Sequence, residues 1–455
     1  MPAGGTWVAQ NKRRPGAYIN FVSVPKPVGT LGSRGVVAVA LPMTWGSEAG
    51  LIKLTGAELL SGASLPKIGC TAFDTEESLP FRAALAGCFT ALLFRSDQGA
   101  TKASAVLRVN DLVANAKYTG TTGNDLIVAI VADDPEPDTY KVQILFKAIL
   151  RETFYVKTLA EFADIESEWV DFVVAATPGS QDIPVTAGTP LVGATNGAVN
   201  SARYPNFFAA LEHENFQCLA INSTDVAVAP LIKTQIQLWR EQRGKKVQAV
   251  VYNYTAADYE GIISVNQGFT TDVDRIETDL FPVWVASMTA GANVNQSLTA
   301  SVLEGAKMII NPVLEDEIED ALVAGKFILS YRQDGAVCVE QDINTLHTFT
   351  VDKNYAFSKN RVIRCLDEIG NTTALIFNRN YCGKVDNDSV GRNQYKGELI
   401  SMIDQLVDLG AVTNFDGASD ITVLPGISVD SVVVDLTIQP VDSMEKLYMT
   451  VNVDA

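Results

Sequence analysis

From Val36 an unbroken apolar run, VVAVAL, reads as a strand buried on both faces, and the segment up to about residue 94 mixes short apolar runs with turn residues. Over 97–174 the pattern changes to short alternating runs, AVLRV, LIVAIV, YKVQILF and DFVVAA, set off by polar turns such as TGTTGND and ADDPEPD. That pattern predicts a small all-β unit inserted into a larger domain. A Gly-, Pro- and Thr-rich bridge over 177–200 follows. The texture then becomes strand, helix, strand: residues 216–221, residues 230–243 with Gly244 as the stop signal, and residues 247–252. Such a unit ordinarily makes a right-handed parallel crossover. A helix over 314–323 stops at Gly325, and the runs KFILSY and AVCVEQ form a hairpin turning through Asp334 and Gly335.

The carboxyl end carries the clearest periodicity. Over 394–409, Tyr395, Leu399, Met402, Ile403, Leu406 and Leu409 line one helix face, closed by Gly410. A polar, Gly-containing stretch over 414–426 reads as a flexible link, as does 25–29 near the other end. Val432, Val434, Leu436 and Ile438 then alternate with Val433, Asp435, Thr437 and Gln439. After a turn over 440–443, Leu447, Met449, Val451 and Val453 alternate with Tyr448, Thr450, Asn452 and Asp454. Two strands of period two, paired as a terminal hairpin, are expected. At the amino end, residues 1–27 hold a lone strand-like run, AYINFVSV, with nothing beside it to pair with, and read as an extended arm.

The chain of 455 residues accommodates about three domains at roughly 150 residues each. The division expected is an arm at 1–27, an α/β core at 28–96 and 175–342, an inserted β-barrel or sandwich at 97–174, and a carboxyl-terminal α+β domain at 343–455 ending in two strands. The fold class is therefore multidomain α+β. Hydrophobic residues make up 47% and charged residues 19%, which excludes wholesale disorder. The formal net charge of -18 argues against a coat for nucleic acid or an anionic membrane. The start of the chain has no apolar signal-peptide core, and the longest apolar runs are too short to cross a bilayer, so synthesis and first use in a cytoplasm are expected.

The sequence carries no complete catalytic, nucleotide-binding or metal-binding motif. The Gly-Lys pairs at 244, 325 and 383 have Trp239, Asp320 and Asn378 five positions earlier, where a phosphate loop needs Gly. Gly29, Gly32 and Gly35 miss the dinucleotide spacing. His213 and His347 are the only histidines, neither sits in a nucleophile motif, and both are expected as exposed polar residues. DNDSVGRNQYKGE departs from a calcium loop at Val390 and Gly397 and reads as a turn capping the next helix. The acidic turn ADDPEPD reads as a solvated loop tip. Cys70, Cys88, Cys218, Cys338, Cys365 and Cys382 form no CxxC pair and are expected as buried small hydrophobes. No cofactor, metal or catalytic residue is assigned.

Charge matters most at the two ends. Residues 1–26 hold Lys12, Arg13, Arg14 and Lys26 and no acid, for +4. Residues 411–455 hold Asp416, Asp420, Asp430, Asp435, Asp442, Glu445 and Asp454 against Lys446, so -7 and +1 give -6. A basic strand at one end and an acidic strand pair at the other are complementary in backbone and charge. Trp7, Val8, Lys12, Arg13, Arg14, Tyr18, Ile19 and Phe21 are the candidate linking residues of the arm. If the arm of one copy adds to the strands of a neighbour, both edges are satisfied by β-augmentation, and the interface, being heterologous, builds a ring or a helix. About six backbone hydrogen bonds at roughly 0.5–1.5 kcal/mol each would supply roughly 3–9 kcal/mol before entropic costs. An arm folded back on its own chain's hairpin is the competing arrangement. A nucleic-acid-binding arm is disfavoured by its four cations and the charge of the rest.

The segments GGTW, QNK and RPGAYINF at the start, NPVLEDEIEDALVAGKFILSYRQDGAVCVEQDIN, GRNQYKGELISMIDQL and the closing strands, in that order, resemble the contractile tail sheath proteins of Gram-positive phages and phage-tail-like bacteriocins. The resemblance implies a structural subunit of a phage tail, assembled in the host cytoplasm as stacked six-fold rings around a rigid tube. It implies an extended metastable helix whose contraction drives the tube through the target envelope, with linkers that bend while strand links persist. The implied partners are further copies of the chain, the tail tube protein, and baseplate and tail terminator proteins, with no nucleic acid, small-molecule substrate or cofactor. The implied tube-facing element is the 394–409 helix, with Glu398, Asp404 and Asp408 on its polar side. A tube- or capsid-type structural protein and an enzyme with an unrecognised site stand as alternatives.

Overall fold

The computed structural model describes residues 3–5, 16–18, 34–133, 136 and 138–453. The chain separates into two compact units, one of residues 33–371 and 440–455, the other of residues 1–32 and 372–439.

The larger unit is organised by a six-stranded sheet in the order Ile262–Val265, Gln248–Tyr252, Cys218–Ile221, Val36–Leu41, Thr90–Arg95, Ile52–Thr55. All neighbours are parallel except the edge pair Ile52–Thr55 with Thr90–Arg95. Both faces of the inner strands are covered, which explains apolar runs such as VVAVAL, whereas the edge strand Ile52–Thr55 exposes Lys53. Val37, Val39, Leu93, Ala220 and Val250 face a core that includes Phe281, Val285 and Ala286 of the helix Phe281–Gly291. Ala38, Ala40, Leu92, Leu219 and Val251 face a second core with Phe207, Ile232 and Trp239. The expected strand–helix–strand unit is present, its helix running Val228–Gln237 and ending in a π turn, Leu238–Gln242, with Gly244 at φ 68°. The hairpin Leu329–Tyr331 with Val337–Val339 is also as expected, Gly335 taking φ 84°.

The β insert consists of two sheets around one core, a sandwich and not a barrel. A four-stranded sheet, Ile149–Val156, Tyr140–Phe146, Leu126–Ala132 and Thr186–Pro190, faces a three-stranded one, Val170–Val174, Leu112–Ala116 and Ser104–Arg108. Val128, Ile144 and Phe146 from the first meet Leu112, Ala114 and Phe172 from the second, with Trp169 stacked on Phe146. The all-β segment does not stop at 174. Thr186–Pro190 pairs with Leu126–Ala132, and Ile183, Leu191 and Ala194 join the same core, so the supposed bridge is largely part of the sandwich. Entry and exit lie side by side: Gln98 pairs with Ala198, and Asp97 with Val199.

That crossing is held by a buried ion pair. Arg95 donates from Nε and Nη2 to Asp97 at 2.8–3.0 Å and from Nη1 to the carbonyls of Gly46 and Thr119 at 3.0 and 2.9 Å. The Met43 N–H donates to Asp97 Oδ1 at 3.0 Å, and Arg203 Nη1 to the Asp97 carbonyl at 2.6 Å. The side chains are 0% and 2% exposed. Burial pushes the Asp97 carboxyl up, but the hydrogen bonds from Arg95 and Met43 outweigh it and hold it below the usual carboxylate range.

In the smaller unit the helix spans Ser389–Asp408, beginning five residues earlier than its apolar stripe indicates. Asp388 caps it, its Oδ1 accepting from the Val390 and Gly391 N–H groups, so the calcium-like segment is the expected cap. Tyr395, Leu399, Met402, Ile403 and Leu406 are buried, whereas Leu409 is exposed because the helix has already ended. Against this helix packs a hairpin, Ile421–Pro425 with Val432–Leu436, registered Ile421 to Leu436 and Pro425 to Val432. The stretch over 414–426 is thus not a free link. Its turn is tight: Gly426 donates to the Ser431 carbonyl at 2.8 Å, and a Cβ there would come within 2.1 Å of Ser431 Oγ. Ala3–Gly5 pairs in parallel with Gly16–Tyr18.

Candidate assembly interface

The terminal strand pair expected from periodicity is not formed within one chain. Val432, Val434 and Leu436 lie in a strand with alternate faces half-buried, but its partner is Ile421–Pro425, and Ile438 falls beyond the strand end. Leu447, Met449, Val451 and Val453 lie in no strand and are 67–85% exposed, with Tyr448 at 89%. The reason is that alternation specifies an extended conformation with two faces but not the strand that completes it. Each strand of the two-stranded sheet keeps one edge unpaired within that sheet.

Of the arm residues, Tyr18 lies in the strand Gly16–Tyr18, while Trp7, Val8, Lys12, Arg13, Arg14, Ile19 and Phe21, together with the 25–29 link, lie outside the described residues. On the long helix, Asp404 and Asp408 are exposed, one turn apart on one face. Glu398 is half-buried and accepts from Asn380 Nδ2 at 3.4 Å, so the three carboxylates do not form a single surface. Beside the same helix lies a cavity of about 670 Å³ lined by Phe377, Tyr381, Lys384, Arg392, Tyr395 and Val432.

One residue that matters was not signalled by sequence. Glu445 lies just past the expected turn over 440–443 and next to Lys446, yet its carboxylate is buried against Thr299, Gln341 and Lys359. Burial pushes this carboxyl up, and the hydrogen bonds from Lys359, Gln341 and Thr299 outweigh it and hold it below its ordinary value.

Five cysteines are buried as expected, and burial pushes the thiols of Cys70, Cys218 and Cys365 up to about 12. Cys382 is a correction, because it follows the π turn Phe377–Tyr381 and its side chain is exposed. Under native conditions a disulfide-exchange reagent is expected to titrate one fast thiol per chain, lost in Cys382→Ser, with the remaining five appearing only on denaturation. Both histidines are exposed. Among the described residues no group of three or more His, Cys, Asp or Glu could hold a metal, and no helix is long and apolar enough to cross a membrane.

An exposed, alternating apolar segment such as 447–453, without a strand partner among the described residues, defines a class: structural subunits that other chains complete. The comparisons make the class specific. Residues 197–345 match the model of the phage tail sheath protein central domain, and residues 352–454 that of the phage tail sheath C-terminal domain. The phage-like element PBSX protein XkdK of Bacillus subtilis is 33% identical over 99% of this chain and 100% of its own. The crystal structure of the sheath tail protein from Desulfitobacterium hafniense is 35% identical and superposes with a TM-score of 0.80 over 94% of this chain and 97% of that one. The helical sheath of the anti-feeding prophage, in its contracted state, shares the fold at 12% identity, with a TM-score of 0.55 over 97% of this chain and 100% of that one. The chain belongs to the phage tail sheath family, whose members are structural proteins of phage tails and not enzymes.

Proposed function

We propose that this chain is the repeating subunit of a contractile sheath, polymerising as stacked six-fold rings around a tail tube and shortening from a metastable extended helix to drive the tube through a target envelope. The observation that carries the reading is the exposed, alternating apolar segment from Leu447 to Val453, which has no strand partner among the described residues. β-augmentation gives it one: the segment and the basic arm of neighbouring copies add to the open edges of the hairpin Ile421–Pro425/Val432–Leu436. The likeness to a sheath captured in its contracted state supports a fold compatible with contraction. In physical terms the assembly is bistable, and the energy of contraction is stored in the lattice. The tube lies against the face bearing Asp404 and Asp408, and the baseplate and terminator close the two ends. Assembly takes place in the host cytoplasm, and the product is part of a phage tail or a tail-like particle.

Negative-stain microscopy of the purified protein tests the reading. Hollow, striated, helical tubes are expected; closed shells would favour a capsid-type protein, and monomers persisting at high concentration would overturn polymerisation.

A further inference from the structure

The end of the chain is fastened to the larger unit at one carboxylate. Glu445 Oε1 accepts from Thr299 Oγ1 at 2.8 Å and from Ser443 Oγ at 3.3 Å, and Oε2 accepts from Gln341 Nε2 at 2.6 Å and from Lys359 Nζ. Two donors on each oxygen saturate the group about as fully as a carboxylate allows. The Lys359 and Glu445 side chains are 4% and 11% exposed. The donors outside the terminal segment come from three separate places in the core and connect to a deeper polar network. Thr299 Oγ1 accepts the Asp342 N–H at 2.9 Å, and the Asp342 carboxylate holds Arg364, Asn360 Nδ2 and the Leu298 N–H. One residue beyond Glu445 everything changes. Lys446 is exposed, and among the described residues no hydrogen bond is made by Leu447–Val453.

A strand that must find a neighbour loses less freedom on pairing if its root is already fixed in place and direction. We propose that Glu445 is the positioning residue of the inter-subunit link: it sets the point from which the terminal segment reaches a second copy, and loss of its charge unfastens that root. This rests on reading the terminal segment as a link. The charged and titratable groups facing the clamp are Lys359 from the turn before the helix Asn360–Ile376, with Tyr355 beneath its ammonium, Lys446 on the terminal segment, and the Asp342–Arg364 pair behind Thr299. Because the carboxyl is held below its ordinary value, the clamp is intact at neutral pH and lost as pH falls through that lowered value.

The test uses the full chain in four forms: wild type, Glu445→Gln, Thr299→Val, and a chain ending at Glu445. Tube yield is measured by pelleting and microscopy from neutral pH down to about pH 2.5, well past the ordinary glutamate value, and folding at each pH by circular-dichroism melting. The truncated chain is expected to stay folded and form no tubes; normal tubes from it would overturn the link itself, and the inference with it. Glu445→Gln is expected to melt cooperatively as a monomer yet give about ten-fold fewer tubes at neutral pH, and to lack the acid-induced loss that wild type shows. Thr299→Val, which leaves the ion pair in place, is expected to lose about three-fold and serves as the readout if Glu445→Gln does not fold. If truncation abolishes tubes while both substitutions assemble like wild type with the same pH profile, the positioning role of Glu445 is refuted and the link stands.

Discussion

A chain lacking residues 1–24 is expected to fold and melt like the full-length protein but to yield no tubes. Among the described residues, the cores of the larger unit, on both faces of the six-stranded sheet and inside the sandwich, are built from residue 37 onward, and the arm groups with the smaller unit instead. What the deletion removes is the basic strand-like run and the three cations Lys12, Arg13 and Arg14. If the arm adds to a neighbour as proposed, its loss removes roughly 3–9 kcal/mol of backbone hydrogen bonding at each contact. Sedimentation and microscopy of the deletion check this; tubes of normal length and yield would remove the arm from the linking scheme.

The second large effect lies within one chain. Asp97→Ala should destabilise the larger unit by about 3–5 kcal/mol, since it leaves the Arg95 guanidinium buried without its counter-charge. The Met43 N–H loses its acceptor as well. Replacing both partners by apolar residues of similar volume should cost far less than either single change. The pH dependence has a definite sign. A carboxyl held low in the folded state contributes stability above its unfolded value, and that contribution disappears as pH falls through the lowered folded value. The Asp97→Ala protein should therefore show a shallower loss of melting temperature on acidification than wild type. Equal acid sensitivity would mean that the Arg95–Asp97 pair adds no net stability.

The parts of the fold that were legible in the sequence are those where local pattern and burial agree. VVAVAL is apolar at every position because both faces of its sheet are covered, and the helix Ser389–Asp408 announces itself by its cap at Asp388 and its stop at Gly410. What was not legible depends on partners. Residues 432–453 alternate as two strands, but the first pairs backwards with Ile421–Pro425, a strand obscured by its closing proline and the glycine after it, and the second has no strand partner among the described residues. Thr186–Pro190, with the sequence TAGTP, sets two threonines among Ala, Gly and Pro, which disfavour strands, and is held in place by its neighbour Leu126–Ala132. Cys382 was misjudged because cysteine is usually buried, and a single residue gives no periodicity to contradict that expectation. Glu445 gave no signal at all, since an acid beside a lysine near a chain end looks like solvated surface until the three side chains that receive it are seen.

The sandwich enters and leaves the core through two adjacent, hydrogen-bonded strands, Asp97–Gln98 and Ala198–Val199. The chain passes between core and module there, yet Trp45 and Leu65, which precede the insert, are buried in its core, with Trp45 packed on Tyr118 and Trp169, so the module is seated on the larger domain as well as threaded through it. A substitution around Trp169 is therefore transmitted through Trp45 to the strand Val36–Leu41, which ends four residues before it, and the insert and its framework are mechanically one piece at that corner.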